Sequence, residues 1–289
     1  MTQSPAPEAR SAEGTSRPPD ALFWYGCNMT RHAEIIRISA HLLACAGVPA
    51  APIGGPGACC GSPKESQPRI AEGMARRTMS HFNDSGAKQV ITWCPTCHMN
   101  LDDFMGATQE PRFGHSHVTE ALWQRRDALA PLLTRPVAGR VLVDTHTGFN
   151  DRALVNAAVL GLLRLVPGLE VLEHPYRGAS YMCFGLAGVP GALPAHLERL
   201  VAAAREVQAD TIVSIFHSCH RELVGLEKTH GFRVRNWAHI LGESAGLPHG
   251  DEYKEWRNST DPAALIGSAR IAAAGADAVE KYVLPELNR

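Results

Sequence analysis

The chain has 289 residues, a formal net charge of −1 and a hydrophobic content of 45%. This length suits roughly two domains, and the near-neutral charge excludes the strong basic field that binds nucleic acid or an anionic membrane surface. No apolar run approaches the roughly 20 residues of a membrane span. Residues 1–20 are rich in Pro, Ala, Ser and charge and lack the apolar core of a signal peptide, so they predict a disordered tail. We therefore expect a cytoplasmic protein with reduced cysteines.

After the tail, short apolar strands alternate with helices. The first series predicts, in order, a strand over 22–25, a helix over 30–46, a strand over 48–53, a Gly/Pro loop over 54–63, a helix over 68–83 and a strand over 88–93. The second series predicts a strand over 141–144, a helix over 152–165, a strand over 169–173, a loop over 176–191, a helix over 193–208, a strand over 211–216 and a helix beginning near Cys219. This alternation predicts an α/β fold of parallel βαβ units, with sites at the carboxyl ends of the strands.

The two series are copies of one unit. Cys219 follows Cys97 by 122 residues, and Cys183 follows Cys60 by 123. We therefore expect two lobes related by a pseudo-twofold axis. The predicted boundaries are 21–137 for the N-terminal lobe and 138–289 for the C-terminal lobe.

Five of the eight cysteines fall into one pattern in the first lobe, where each follows the carboxyl end of a predicted strand. They are Cys27, the adjacent pair Cys59-Cys60, and the CxxC of Cys94 and Cys97. Clustered thiolates suit iron–sulfur clusters or zinc, and four would complete a zinc site. The fifth thiolate and the adjacent pair favour a polynuclear iron–sulfur cluster. Another cysteine, Cys45, falls on the apolar stripe of the first helix, which predicts a buried core thiol.

This pattern resembles the CCG domain of the cysteine-rich subunit of heterodisulfide reductase and its relatives. The matching segments are 25–27 (Tyr-Gly-Cys), 59–61 (Cys-Cys-Gly) and 94–98 (Cys-Pro-Thr-Cys-His), separated by two spacers of similar length. The resemblance implies that all five cysteines bind a noncubane 4Fe–4S cluster that acts on disulfide or thiol sulfur, with Cys59 and Cys60 as the candidate catalytic pair. It also implies two partners in a reductase-like complex, a small ferredoxin-like iron–sulfur subunit and a flavoprotein subunit.

The second copy departs from this pattern. Its counterpart of Cys27 falls near Thr147, Met182 replaces the first cysteine of the adjacent pair, and Phe216 replaces the first cysteine of the CxxC. Only Cys183 and Cys219 survive, so a second five-thiolate cluster is excluded.

Histidines lie near the two surviving cysteines at the same predicted loop ends. Three interpretations of this region stay open: a zinc site with Cys and His ligands, a pocket whose imidazoles bind or protonate the substrate, and loop histidines left by the decay of an older site. The predicted second-lobe pocket comprises His146, Cys183, His217, Cys219 and His220. His174 lies at a similar loop end.

The leading functional hypothesis is the iron–sulfur subunit of a heterodisulfide reductase-like complex, including complexes linked to sulfur oxidation. It would be an oxidoreductase subunit that couples electron transfer to making or breaking a sulfur–sulfur bond. No flavin or nicotinamide fingerprint is present, so electrons are expected to arrive through partner subunits. Two alternatives are an electron-relay subunit of a hydroxy-acid (lactate or glycolate) oxidase and a noncatalytic assembly subunit that docks through its degenerate half.

Overall fold

The computed structural model describes residues 19–147, 152–179, 182–247 and 249–288; most of the predicted tail, residues 1–18, lies outside this range. The strands are β1 (Ala21–Gly26), β2 (Ala51–Gly54), β3 (Gln89–Thr92), β4 (Gly114–His117), β5 (Gly139–Asp144), β6 (Leu169–Leu172), β7 (Thr211–Ser214) and β8 (Arg233–Asn236). They form two parallel sheets, ordered β2-β1-β3-β4 and β6-β5-β7-β8. The two orders are the same, which confirms the predicted duplicated α/β fold.

Helices connect and cover these strands. In the first half they are α1 (Ala33–Cys45), α2 (Pro68–Asp84), α3 (Pro95–Asn100), α4 (Gly106–Thr108), α5 (Val118–Gln124) and α6 (Arg126–Leu129). In the second half they are α7 (Arg152–Arg164), α8 (Cys183–Ala187), α9 (Ala192–Glu206), α10 (His217–Leu223), α11 (Leu226–His230) and α12 (Trp237–Ser244), followed by α13 (Glu252–Asn258), α14 (Pro262–Ile266), α15 (Ser268–Ala274), α16 (Ala276–Ala278) and α17 (Leu284–Leu287). Short 3₁₀ turns span Asn28–Arg31, Pro56–Ala58 and Ala130–Leu132, and π-helical segments span Leu101–Met105 and Val279–Val283.

Two strands were absent from the sequence prediction. The residues of β4 read Gly-His-Ser-His and those of β8 read Arg-Val-Arg-Asn, so neither has the apolar run that marks a buried strand. They are strands because they form parallel ladders with β3 and β7. The first helix also begins later than predicted, because a 3₁₀ turn and a non-helical His32 precede it.

The two lobes pack against each other through two equivalent pairs of helices. Helix α1 of the first lobe contacts α12 of the second, and α5 of the first lobe contacts α7 of the second. A glycine permits each close approach: a Cβ on Gly242 would lie 3.0 Å from Ile38 Cγ2, and one on Gly161 would lie 2.6 Å from the Trp123 ring. Helix α1 is the counterpart of α7, and α5 is the counterpart of α12. The two contacts are therefore equivalent under the internal symmetry of the chain.

The hydrophobic interior consists of two clusters. A large apolar cluster runs continuously through both lobes, and within it the rings of Trp93 and Trp237 stack with centroids 6.1 Å apart. A smaller cluster, which includes Trp24, Met79 and Phe82, lies under the cysteine loops of the first lobe. No helix in the described ranges has both the length and the apolar character needed to cross a bilayer.

Candidate metal centre and the facing cavity

The carboxyl ends of three neighbouring strands bring the five first-lobe cysteines together. Cys27 follows β1, the pair Cys59-Cys60 follows the turn after β2, and Cys94 caps the start of α3, which contains Cys97. The thiols are in hydrogen-bond contact along a chain from Cys27 to Cys59, Cys60, Cys97 and Cys94. All are free thiols, and all but the half-buried Cys27 are buried. Five soft sulfur donors in one place suit an iron–sulfur cluster or another thiophilic metal.

Two glycines of the motif make this convergence sterically possible. Gly26 has φ +77°, and a Cβ there would lie 3.0 Å from both Cys97 Sγ and Cys94 Cβ. Gly61 has φ +82°, and a Cβ there would lie 2.6 Å from the carbonyl oxygen of Ala71. Both positions therefore need glycine, for the backbone conformation and for the space. Gly26 keeps the end of β1 clear directly beneath the sulfurs.

The loop after β2 stabilises a thiolate at Cys59. Its sulfur receives a hydrogen bond from the Cys27 thiol, another from the Cys60 thiol, and two from the backbone N–H groups of Ser62 and Gly61. Together these hold the pKa of Cys59 well below its usual range, against the effect of burial. The same contact with Cys59 raises the pKa of Cys60 to about 12. Backbone donors aimed at a cysteine sulfur are also what a bound cluster requires.

The start of α3 does the same for Cys94. A hydrogen bond from the Cys97 thiol, together with the backbone N–H groups of Cys97 and Thr96, lowers the pKa of Cys94 although the thiol is buried. A helix N-terminus offers unpaired N–H groups, so this is a favourable place for a thiolate.

Sequence reasoning missed Asn100, which also acts on the cysteine set. Its Nδ2 donates to Cys60 Sγ at 3.3 Å, and Lys64 Nζ donates to its Oδ1 at 3.1 Å. The position one helical turn beyond Cys97 was the available signal, because residues three apart share a helix face. The amide adds a side-chain donor to the backbone donors around the sulfurs.

A cavity of about 490 Å³ adjoins the five cysteines. Its first-lobe wall includes all five, and its opposite wall comes from the second lobe, from Met182, Phe184, His217 and Ser218. The volume falls in the range of small-molecule sites, roughly 300–1,000 Å³.

The second-lobe wall presents two unpaired polar atoms. Neither His217 Nδ1 nor Ser218 Oγ has a hydrogen-bond partner among the residues that the structure describes, although both atoms are buried. Burial, followed by the nearby His32 and Arg221, holds the pKa of His217 well below its usual range, so the ring is neutral at physiological pH. Unpaired buried donors and acceptors are costly and rare in folded proteins.

A separate group, the second-lobe cluster, consists of Asp144, His146, Cys183 and Cys219. Cys219 Sγ lies 3.1 Å from His146 Nε2, which lies 3.4 Å from Asp144 Oδ2. The thiol of Cys183 donates to Asp144 Oδ2 at 3.9 Å, and its backbone N–H donates to Cys219 Sγ at 3.4 Å. All four side chains have zero solvent exposure. Sequence reasoning missed Asp144, although a D-x-H at the end of a predicted strand was a usable signal.

The second-lobe cluster holds charge in spite of its burial. Burial would raise the pKa of Cys219, but the hydrogen bond from Cys183 and the charge of His146 lower it to about 5. Burial would likewise lower the pKa of His146, but Cys219 and Asp144 raise it to about 10. The thiolate and imidazolium thus stabilise each other.

The structure divides the predicted second-lobe pocket among three places. His146, Cys183 and Cys219 share the second-lobe cluster, and His217 faces the cavity beside the five cysteines. His220 instead contacts Asp251, with Nε2 2.7 Å from Oδ2.

Two further residues lie outside these groups. His174 pairs with Glu206 at the surface, at 2.8 Å. Cys45 was predicted to be a buried thiol, and this was wrong: it is exposed, because α1 ends there and its buried stripe stops at Leu43.

Comparison with known proteins agrees with the cysteine geometry. The family model "Cysteine-rich domain", CCG, matches residues 21–102. This segment contains all five first-lobe cysteines, so the likeness to the cysteine-rich domain covers the whole first-lobe motif. No curated protein matches the chain. Among solved structures, a proposed Asp/Glu racemase from Yersinia pestis is similar with a TM-score of 0.35 and 10% identity, covering 81% of this chain and 99% of that chain.

Proposed function

We propose that this protein is an iron–sulfur subunit that couples electron transfer to disulfide or thiol chemistry in a heterodisulfide reductase-like complex. The observation that carries the proposal is the convergence of five thiols at the wall of an open cavity. Cys27, Cys59, Cys60, Cys94 and Cys97 would hold one noncubane 4Fe–4S cluster. When bound, the cluster supplies single-electron transfer and a site that accepts substrate sulfur.

The residues around the cavity suit a sulfur substrate. Met182 and Phe184 offer apolar and polarisable contacts, and Arg221 lies over the Phe184 ring at 5.8 Å. The neutral His217 ring and the Ser218 hydroxyl can each hydrogen-bond to the substrate. The Cys59-Cys60 pair faces them from the first lobe. Substrate would thus be bound between the intact and the degenerate half.

The cavity also helps to distinguish an active site from the electron-relay alternative. A pure relay needs its cluster close to its redox partners, but it does not need a small-molecule cavity beside the cluster. The cavity therefore supports an active site over a relay. The proposal includes a ferredoxin-like iron–sulfur subunit and a flavoprotein subunit as electron partners, and a cytoplasmic location.

The decisive experiment is anaerobic purification of the full chain with iron and acid-labile sulfide analysis and EPR spectroscopy. About four iron atoms per chain are expected, with an EPR signal that changes when a thiol or disulfide is added. His217→Gln and Ser218→Ala should weaken this change without loss of iron, whereas the surface control His174→Gln should leave it intact. Stoichiometric zinc with negligible labile sulfide would refute the cluster. An iron signal insensitive to thiols and disulfides would refute the active-site role and favour a relay.

A further inference from the structure

Three separations within the second-lobe cluster match the edges of a tetrahedral metal site. Bonds of 2.0–2.3 Å from zinc to N, O and S place neighbouring ligand atoms about 3.3–3.8 Å apart. The measured separations are 3.1 Å for Cys219 Sγ to His146 Nε2, 3.4 Å for His146 Nε2 to Asp144 Oδ2, and 3.9 Å for Cys183 Sγ to Asp144 Oδ2. The two thiols are also in hydrogen-bond contact. The three measured separations are thus within a few tenths of an ångström of a tetrahedron edge. The ligand atoms of Asp144, His146 and Cys219 all lie within 4.8 Å of one another, and Cys183 joins this group through its contacts with Asp144 and Cys219.

The second lobe differs from the first in a side chain at the end of the central strand. Position 146 corresponds to Gly26 of the first lobe, because paired strands place Ala21 beside Gln89 and Val141 beside Thr211. Gly26 leaves the space beneath the sulfurs open, whereas the His146 ring fills it and contacts Cys219 Sγ. The second lobe also lacks counterparts of Cys27, Cys59 and Cys94, three of the five first-lobe cysteines. The second lobe therefore has donors for a single ion and too few thiols for a five-cysteine cluster.

Neighbouring side chains orient the carboxylate. His196 Nε2 lies 3.2 Å from the other oxygen of Asp144, Oδ1, and His196 Nδ1 lies 2.7 Å from the Tyr176 hydroxyl. Both Asp144 Oδ1 and His196 Nε2 lack a well-formed hydrogen bond within the described ranges, although both are fully buried. A histidine that supports a ligating carboxylate is a common outer shell of metal sites.

We infer that the second lobe binds one zinc ion through Asp144, His146, Cys183 and Cys219. Two sulfurs, one nitrogen and one oxygen in a fully buried cluster are typical of a structural zinc site. A divalent cation would also balance a group of ionisable side chains that is otherwise costly to bury.

This zinc ion would anchor the second-lobe wall of the cavity. Met182 and Phe184 flank Cys183, and His217 and Ser218 directly precede Cys219, so both wall segments are tied to a proposed ligand. The degenerate half thus keeps a structural role at the site of chemistry. The zinc site does not depend on the proposed iron chemistry.

The first test uses the wild-type chain, purified anaerobically from zinc-replete medium. Elemental analysis should give about one zinc per chain in addition to iron, and zinc X-ray absorption should show two sulfurs near 2.3 Å and two lighter donors near 2.0 Å. A shell of four sulfurs would place the zinc at the first-lobe cysteines and overturn the inference. Absence of zinc, or iron in its place, would overturn it as well.

The second test separates the two sites with paired double variants. Cys183→Ser/Cys219→Ser should lose at least about tenfold of its zinc and retain its iron, whereas Cys59→Ser/Cys60→Ser should lose iron and retain zinc. Asp144→Asn should weaken zinc binding, and Cys45→Ser is the exposed control. Should a double variant fail to fold, the wild-type absorption spectrum still decides. Zinc that disappears with Cys59 and Cys60, or persists without Cys183 and Cys219, contradicts the inference.

Discussion

The two lobes share a scaffold and differ where its strands end. A repeated internal contact shows the shared part: Thr92 Oγ1 lies 2.8 Å from His98 Nδ1 in the first lobe, and Ser214 Oγ lies 3.1 Å from His220 Nδ1 in the second. The differences lie at the loop ends, where three thiols of the first lobe have no second-lobe counterpart. A few substitutions at the carboxyl ends of parallel strands thus change the ligand set without changing the fold.

The residues that surround the corresponding cysteines also differ between the two lobes. Asn100 donates to Cys60 Sγ in the first lobe. The residue 122 positions later is Glu222, whose charge acts on Cys183 by helping to raise its thiol pKa, after the contact with Cys219 and burial. A donor amide favours sulfur that carries negative charge, whereas a carboxylate opposes it. The first lobe is therefore arranged for several thiolates at once.

The largest expected effect comes from removing a first-lobe thiol. Cys60→Ser should reduce iron per chain more than about tenfold, because Cys60 touches both Cys59 and Cys97 and closes the set. Cys45→Ser, at the exposed end of α1, should keep the full iron content. Iron and sulfide analysis after anaerobic purification measures both. If the two variants contain equal amounts of iron, Cys60 does not help to bind it, and the first-lobe cysteines are not set apart from the rest of the chain.

The second prediction tests the space that Gly26 provides. Gly26→Ala should destabilise the fold by about 1–3 kcal/mol more than Gly47→Ala and should lower iron content as well. Both glycines have nearly the same positive φ, +77° and +78°, but a Cβ on Gly47 meets nothing within 4 Å. The pair therefore separates the steric effect from backbone strain of about 1–2 kcal/mol.

Denaturant unfolding and iron analysis measure this pair. If the two alanine variants lose the same stability and the same iron, the close approach of the sulfurs to Gly26 is not what demands glycine. The contrast between Gly26 and His146 would then lose its physical basis.

The sequence predicted the arrangement of strands and the first-lobe site better than the second-lobe site. Apolar runs marked the central strands of both sheets, and cysteine spacing marked the five cysteines that lie together in the first lobe. The edge strands β4 and β8 were missed because they are polar and short. The contact between Asp144 and His196 was missed because a strand end and a helix, 52 residues apart in sequence, approach each other only in the folded chain. No local pattern carries that information.

The third prediction concerns the contact between the lobes. Burial would raise the pKa of Glu34, but the hydrogen bond with His239 of the second lobe and the His32 ring, whose Nδ1 lies 3.7 Å from Oε1, lower it to about 2, from 4.5. A carboxyl with a lowered folded-state pKa stabilises the fold above its unfolded pKa, and loses that contribution as pH falls toward the folded pKa. Glu34→Gln should therefore cost about 1–3 kcal/mol at pH 7, with the difference shrinking from pH 4.5 toward pH 2.

This measurement belongs in the iron-free Cys60→Ser background, where acid loss of iron and sulfide cannot contribute. Glu72→Gln, in an exposed pair with Arg76, is the matched control and should change stability by less than about 1 kcal/mol. A Glu34→Gln difference that stays constant between pH 7 and pH 2 would show that the charge of Glu34 does not stabilise the contact between the lobes.

The smallest expected effect concerns the donor that the second lobe lacks. Asn100→Leu removes the hydrogen bond to Cys60 Sγ, and a hydrogen bond to a cluster ligand stabilises the more negative, reduced state. One such bond contributes about 1 kcal/mol, so the reduction potential should fall by about 40 mV with iron content unchanged. Lys64→Met, which removes the residue that polarises the amide at 3.1 Å, should shift the potential in the same direction by less. Redox titration followed by EPR measures both variants. A potential that stays constant or rises in Asn100→Leu would mean that the amide does not support charge on the sulfurs. The difference between Asn100 and Glu222 would then no longer help to explain why the five-cysteine site is confined to the first lobe.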